Sequence, residues 1–257
     1  MRIKLTLIKP DGNIRLPVHY NHIVQAFIYR YMGKVAPELT ELLHSEGFKV
    51  QKGRGVKRFK FFTFSRIIPS GDVRREGGYL VFPRTVFLVV CSPLSRILEA
   101  FARGVVKPDR VTIGEERLIV KEVSVETLKE PLNGPIHIRT LSPITVRDTL
   151  REGGRRYSLF LSPFSKDFSD RLKENLRDKW LALTGEELTS SDFRLQLVDG
   201  ATYRKRVVRY KEQIVEAWDG EFLLDGSSEL LQMALYSGLG ERNSQGFGCV
   251  EPVRKRH

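Results

Sequence analysis

The order in which strand-like and helix-like segments follow one another is the feature that most constrains the fold of this chain. Arg2–Lys9 alternates apolar with polar residues, as a half-buried strand does, and Asn21 is placed to cap a helix that runs to about Met32. A short extra helix begins at Pro37. The half then continues with two strands, a helix and a strand, at Phe59–Ile68, Tyr79–Cys91, Ser92 to about Arg103, and Arg117–Val125. This βαββαβ order predicts a ferredoxin-like unit, which is an antiparallel sheet with both helices on one face.

The second half has a similar order of segments, although its sequence shows no identity to the first half. The segments are a strand at Ile136–Val146, a helix at Asp167–Leu183, strands at Phe193–Val198, Tyr203–Tyr210 and Gln213–Leu224, a short helix at Ser228–Tyr236 and a last strand near Phe247–Val253. The sequence therefore predicts an α+β fold of two tandem ferredoxin-like domains with antiparallel sheets, spanning residues 1–128 and 129–257.

The charge of the chain points to a polyanionic partner. Forty-three Lys and Arg residues against 31 Asp and Glu residues give a net charge of +12, an imbalance that repels itself and that no fold requires. Nucleic acid is the first candidate partner, and an anionic membrane surface is the second. Much of the charge lies in two acid-free runs, one from Lys49 to Arg66 and the other from Arg204 to Lys211. Either these runs are merely solvated edges, or they bind phosphates through Lys52, Lys57, Arg58, Arg204, Lys205 and Arg206.

Composition also excludes several classes of protein. No apolar run approaches the roughly 20 residues that cross a bilayer, and charges interrupt the N-terminus before a signal-peptide core. Cys91 and Cys249 are too few for a disulfide framework and lack metal-ligand spacing. His19 and His22 have no carboxylate or cysteine near them in sequence with which to complete a metal site. We therefore expect a protein of the reducing cytoplasm that carries no metal and no cofactor.

The most unusual stretch is the glycine-rich segment Gly238–Gly248. It is not a dinucleotide fingerprint, because Asn243 stands where a glycine is needed, and it has no Gly-Lys-Ser/Thr ending of a Walker phosphate loop. It is either a long turn that needs positive φ or a backbone that approaches a phosphate closely. In the second case, the contacts would come from Gly238, Gly240, Arg242, Asn243, Ser244, Gly246 and Gly248.

The segment Gly-Leu-Gly-Glu-Arg-Asn-Ser-Gln-Gly-Phe-Gly resembles the C-terminal signature of the repeat-associated RNA-binding proteins of CRISPR systems, and in particular the repeat-processing endoribonucleases of the Cas6 family. Other elements follow the family's order, namely Asn21-His22, Leu43-His44, Lys60–Ser65 and Leu141–Ile144. The resemblance covers nearly the whole chain and implies two ferredoxin-like domains. It also implies metal-independent cleavage of CRISPR repeat RNA by 2′-hydroxyl attack, giving a 2′,3′-cyclic phosphate and a 5′-hydroxyl.

Helical periodicity separates candidate catalytic side chains from the core. The apolar arc of the first helix comprises Ile23, Val24, Phe27, Ile28 and Tyr31, so Tyr29 falls on the opposite side. In the next helix the buried stripe is expected to comprise Leu39, Leu42 and Leu43, which turns His44 outward. The resemblance implies that His44 is the general acid or base, that Tyr29 acts at the other oxygen, and that Lys60 stabilises the phosphorane. Lys52 and Lys57 remain alternatives for the lysine.

Two other functions stay open on the sequence. A non-catalytic RNA-binding subunit of the same superfamily would share the glycine-rich segment and the charge, and a structural or DNA-binding protein would share the charge alone. The sequence also leaves open whether the chain dimerises and whether it joins a CRISPR surveillance complex.

Overall fold

A computed structural model describes residues 1–53, 55–127, 132, 134–152, 155–188 and 192–253. The predicted domain boundary between residues 128 and 129 lies outside the described residues. Within those residues, no helix is both long and apolar enough to cross a membrane.

The first half is built on a six-stranded antiparallel sheet with two packed helices, and it also contains a three-stranded sheet and a two-stranded hairpin. In chain order its elements are β1 (Arg2–Ile8), β2 (Ile14–Pro17), α1 (Asn21–Gly33), α2 (Pro37–Glu41), a π-helical turn (Leu42–Glu46), β3 (Phe48–Lys52), β4 (Gly55–Phe59), β5 (Thr63–Phe64), β6 (Ile68–Pro69), β7 (Arg74–Glu76), β8 (Tyr79–Phe82), β9 (Thr85–Cys91), α3 (Ser95–Val106), β10 (Val111–Ile113) and β11 (Glu116–Glu126). The sheet order is β10-β11-β1-β9-β5, and β6 also pairs with β9. Helices α1 and α3 meet edge to face through Phe27 and Phe101, whose ring centroids lie 5.5 Å apart.

The second half builds the same sheet with two added hairpins. Its elements are β12 (Ile136–Thr140), β13 (Arg147–Glu152), β14 (Arg155–Phe160), α4 (Asp167–Thr184), β15 (Phe193–Leu197), β16 (Arg204–Tyr210), β17 (Gln213–Asp219), β18 (Glu221–Gly226), α5 (Ser228–Ser237), a short 3₁₀ turn (Asn243–Gln245) and β19 (Val250–Pro252). The order β15-β18-β12-β19 matches β5-β9-β1-β11 of the first half. The hairpins β13–β14 and β16–β17 are insertions. The predicted fold class, an α+β chain of two ferredoxin-like units, is confirmed.

Four of the predicted strands are wrong in length. Ile136–Val146 ends at Thr140, ahead of Pro143, which has no N–H to donate to a sheet. Tyr79–Cys91 is divided at Pro83, which has no N–H to donate to a sheet. Phe59–Ile68 is interrupted at Phe61, which adopts a φ of 52°. Gln213–Leu224 is divided at Gly220, where a Cβ atom would lie 2.4 Å from the ring of Tyr203. In each case the apolar pattern continues across the break, so the pattern alone does not reveal where the strand is interrupted.

The two halves share one continuous core, and the glycine-rich segment Gly238–Gly248, here called the glycine-rich loop, is packed between them. Asn21 does not cap α1 as expected. Its side-chain amide instead donates to the carbonyls of Gln245 at 3.0 Å and Gly246 at 3.2 Å. At the other end of the loop, the Gly248 N–H donates to the Pro143 carbonyl at 2.9 Å. The loop therefore joins α1 of the first half to the start of the second half.

We expect Gly248→Ala to destabilise the fold far more than Gly77→Ala. Both glycines have positive φ, 72° and 58°, but a Cβ at Gly248 would lie 1.9 Å from the Leu239 carbonyl, whereas Gly77 faces open space. Strain from φ costs about 1–2 kcal/mol in each variant, and the steric clash adds about 2 kcal/mol or more at Gly248 alone. Urea unfolding of both variants measures the difference. Equal losses would mean that the loop is not tightly closed on itself where Gly248 meets Leu239.

Candidate active site

Three side chains that the sequence singled out lie together on the first half. Tyr29 projects from α1, and its ring meets the His44 imidazole edge to face, with centroids 5.6 Å apart. Lys60 lies in the connection between β4 and β5, and its ammonium donates to the His44 main-chain carbonyl at 2.9 Å. Phe62 supports the other side of the Tyr29 ring at 5.4 Å. A phenol, an imidazole and an ammonium group thus occupy one small region of the surface.

The π-helical turn determines which way His44 points. The Gly47 N–H donates to the carbonyl of Leu42, five residues earlier, at 2.7 Å. This wider turn shifts the helical register, so Leu43 is fully buried whereas Leu42 is 39% exposed. The prediction that Leu42 belongs to the buried stripe was therefore wrong, because it assumed an ordinary helical period. His44 is exposed, as predicted.

The surroundings of Tyr29 and Lys60 shift their proton affinities. Burial raises the pKa of the Tyr29 phenol, and the neighbouring Tyr210 raises it further, so Tyr29 stays protonated at neutral pH. Partial burial lowers the pKa of Lys60, and the positive charge of Arg58 lowers it further. Tyr29 can therefore donate a hydrogen bond. The surroundings of Lys60 do little to neutralise the positive charge of its ammonium group.

The two alternative lysines are held elsewhere. Lys52 on β3 and Lys57 on β4 both bind Asp178 of α4, with N–O distances of 3.0 and 2.6 Å. The Asp178 carboxylate is almost fully buried. This double ion pair fixes the β3–β4 hairpin against the second half of the chain. It keeps both ammonium groups on a carboxylate instead of beside His44.

Beside Lys60 lies a cleft of about 510 Å³ between the two halves. Its cationic lining residues are Lys57, Arg58, Lys60, Arg147, Lys179 and Arg242, and its one carboxylate is Glu241, which pairs with Arg147 at 2.7 Å. The side-chain atoms Asn175 Oδ1 and Arg242 Nε are buried here without a hydrogen-bond partner among the described residues. The charge of this cleft and the unpaired Arg242 Nε donor are suited to a polyanion.

The glycine-rich loop contributes to this cleft differently from what the sequence suggested. Gly238, Gly240, Gly246 and Gly248 are buried, and each has positive φ, so they serve as a packed turn. Of the four glycines, Gly240 lines the cleft. The segment Glu241–Gln245 also lines the cleft. Within it, the Arg242 guanidinium donates to Gln245 at 3.1 Å and to Gln213 at 2.8 Å. Of the loop residues named from sequence, Gly240, Arg242, Asn243 and Ser244 line the cleft.

The second basic run lies on the hairpin β16–β17, where the neighbouring strand supplies acids. Arg206 pairs with Asp219 at 2.6 Å, and Lys205 pairs with Glu216 at 2.8 Å. Arg204 and Arg206 line a separate depression of about 590 Å³, away from Lys60. The basic run contains no acidic residue of its own. The fold nevertheless places acidic residues next to it, because they lie on β17, the strand that follows the turn.

Several cleft residues were not identified from the sequence, among them Arg147, Asn175, Lys179 and Gln213. Lys179 carried a recognisable signal, since it stands three residues after Leu176 on the apolar face of α4. Its buried ammonium donates to the carbonyls of Gly238 at 2.7 Å and Gly240 at 3.1 Å, which ties α4 to the glycine-rich loop. Nothing local distinguishes the other three residues.

Comparison with known proteins identifies relatives along the whole chain. The family model "CRISPR-associated protein Cas6, N-terminal" matches residues 15–124, and "CRISPR associated protein Cas6, C-terminal" matches residues 126–252. A CRISPR-associated endoribonuclease Cas6 of Pyrococcus furiosus is 30% identical, covering 98% of this chain and 89% of its own. The structure of a Cas6-related protein from Pyrococcus furiosus aligns with a TM-score of 0.84 at 25% identity, over 100% of this chain and 99% of that one. The structure of a protein described as a RAMP protein binding different RNA substrates aligns at 0.82 and 26% identity, over 99% and 100%.

The buried amine of Lys179 should make stability depend on pH. Burial lowers the pKa of Lys179 to about 7, whereas in the unfolded chain it returns to about 10.4. Between these values the unfolded chain binds the extra proton, so the free energy of unfolding should rise as pH increases from 7.5 to 9.5. Relative to Lys179→Met, we expect the wild type to gain about 2 kcal/mol over this range in urea unfolding. The same pH dependence in both proteins would show that Lys179 does not titrate there.

Proposed function

The chain belongs to the Cas6 family, and from that premise we propose that it is an endoribonuclease that cleaves CRISPR precursor RNA within its repeats to generate guide RNAs. The observation that carries the proposal is the grouping of Tyr29, His44 and Lys60 at the edge of the basic cleft. The cytoplasm, where such transcripts are available, is the proposed site of action.

The proposed reaction is an internal transesterification. The ribose 2′-hydroxyl at the cleavage site loses its proton and attacks the adjacent phosphorus, and the 5′-oxygen of the next nucleotide leaves with a proton. The products are a 2′,3′-cyclic phosphate and a 5′-hydroxyl. This chemistry needs a proton acceptor, a proton donor and a cation near the crowded phosphorane, and side chains can supply all three without a metal.

Each of the three groups has a role that suits its surroundings. His44 is exposed and carries an imidazole, a side chain that can accept or donate a proton, so it serves as general acid or base. Tyr29 acts at the other oxygen, where its protonated phenol donates a hydrogen bond. Lys60 stabilises the phosphorane, since its ammonium already binds an oxygen of His44 and is free of the Asp178 pair that holds Lys52 and Lys57.

The cleft beside this group holds the RNA. Arg58 and Arg242, together with the side chains of Asn243 and Ser244, bind phosphates or bases there, and Arg242 Nε has an unused donor for that purpose. Lys57 lines the same cleft and can contact a phosphate there, while Lys52 keeps the Asp178 carboxylate paired. Arg204, Lys205 and Arg206 belong to the second depression and its surroundings and contact a more distant part of the transcript.

We expect His44→Ala to lower single-turnover cleavage of repeat RNA by about 10²-fold or more, with the affinity for the repeat nearly unchanged. His22→Ala is the matched control, because His22 is an exposed histidine at the start of α1 and should leave the rate unchanged. A 2′-deoxy nucleotide at the cleavage site should abolish cleavage, and EDTA should not. Wild-type cleavage by His44→Ala would remove this residue from the mechanism. Binding without cleavage by the wild type would instead indicate an RNA-binding subunit.

Lysine substitutions should separate stabilisation of the phosphorane from RNA binding. Lys60→Ala is expected to reduce the single-turnover rate at saturating protein by about 10²-fold. Lys57→Ala should weaken RNA binding and leave the saturated rate nearly unchanged. A larger loss of rate in Lys57→Ala or Lys52→Ala would assign the catalytic ammonium to that residue.

A further inference from the structure

The two cysteines of the chain meet inside the protein, at the junction of its two halves. Cys91 is the last residue of β9, and Cys249 follows the glycine-rich loop directly. They are 158 residues apart in sequence, yet their sulfur atoms lie 4.0 Å apart, and both side chains are fully buried. Both thiols are free. The mechanism proposed above makes no use of either.

Arg2 differentiates the two thiols. Its Nε atom donates to Cys91 Sγ at 3.3 Å, and its guanidinium also contacts the Val250 carbonyl. Burial raises the pKa of each thiol. For Cys91, the hydrogen bond from Cys249 and the charge of Arg2 outweigh burial and lower the pKa below its usual value, whereas the pKa of Cys249 lies well above its own. The guanidinium of Arg2 therefore favours ionisation of Cys91 over that of Cys249, and the thiolate is the nucleophilic form of a cysteine.

We propose that Cys91 and Cys249 are an oxidation site at which a hydroperoxide forms a disulfide between the two halves of the chain. The Cys91 thiolate attacks the peroxide and gives a sulfenic acid and hydroxide. The Cys249 thiol then attacks that sulfur, so the S–S bond forms and water leaves. In total, one thiolate, one thiol and one hydrogen peroxide give one disulfide, one water and one hydroxide, and the peroxide receives both electrons.

The geometry suits this step in both redox states. The sulfur atoms must approach by about 2 Å to reach the S–S bond length of about 2.05 Å. After oxidation, Arg2 loses the thiolate but keeps the Val250 carbonyl and the carboxylates of Glu251 at 3.8 Å and Glu126 at 3.9 Å. No buried charge is left without a partner. Full burial also restricts the oxidant to one nearly as small as water.

The test treats the native full-length protein with hydrogen peroxide, followed by catalase, denaturation and alkylation with N-ethylmaleimide. We expect a mass lower by two hydrogens, no label on either cysteine, and a mapped peptide that joins Cys91 to Cys249. Dithiothreitol should restore two labels. In Cys249→Ser, the matched control, Cys91 should acquire oxygen but form no cross-link. The wild-type result alone decides the proposal if this variant does not fold.

Three outcomes would overturn the proposal. Two labels after peroxide treatment of the native protein would show that the pair is inert. Oxygen adducts without a cross-link would show that the two thiols do not meet. A disulfide between two chains would show that the cysteines pair between copies of the protein and not within one chain.

A second readout is the thermal midpoint. It should rise by about 5 °C or more on oxidation and return with dithiothreitol, because the bond closes a long loop.

Discussion

The close packing of the glycine-rich loop between the two ferredoxin-like units is the constraint on which the rest of the structure depends. Within the loop, Gly248 can lie this close to the Leu239 carbonyl only because it has no Cβ atom. Gly246 can lie against the ring of Phe64 for the same reason. Its carbonyls accept from Asn21 of α1 on one side and from Lys179 of α4 on the other. The same backbone thus closes the core and forms a wall of the cleft. The positive φ of Gly238, Gly240, Gly246 and Gly248 fits the packed turn that the sequence suggested, and ligand contact by the loop stays a prediction.

Helix α4 links the candidate catalytic group to the second half through two consecutive residues. Asp178 binds the β3–β4 hairpin through Lys52 and Lys57, and Lys179 binds the glycine-rich loop. The hairpin leads directly to Lys60, so the position of that ammonium depends on a carboxylate more than a hundred residues away in sequence. Although Tyr29, His44 and Lys60 all come from the first half, the second half supports one wall of their cleft and forms the other.

The sequence predicted the order of elements and the grouping of the candidate residues, but not the local backbone or the pairing of charges. Strand and helix periodicity identified both sheets, and family resemblance identified Tyr29, His44 and Lys60, which the fold brings together. The helical periodicity of apolar residues gave a wrong prediction at Leu42, because the sequence pattern does not reveal the π-helical turn. The basic runs looked free of acids because Asp178 and Asp219 meet them only after folding. Their catalytic and binding roles stay predictions.

The double ion pair at Asp178 has a consequence for how a protein of this kind can diversify. Lys52 and Lys57 are inherited with one half of the chain and their carboxylate with the other. Joining the second half to a first half that lacks both lysines would leave the buried Asp178 carboxylate without its cations, at a cost of several kcal/mol. Loss of both lysines therefore requires a compensating substitution at Asp178, in the other half of the chain.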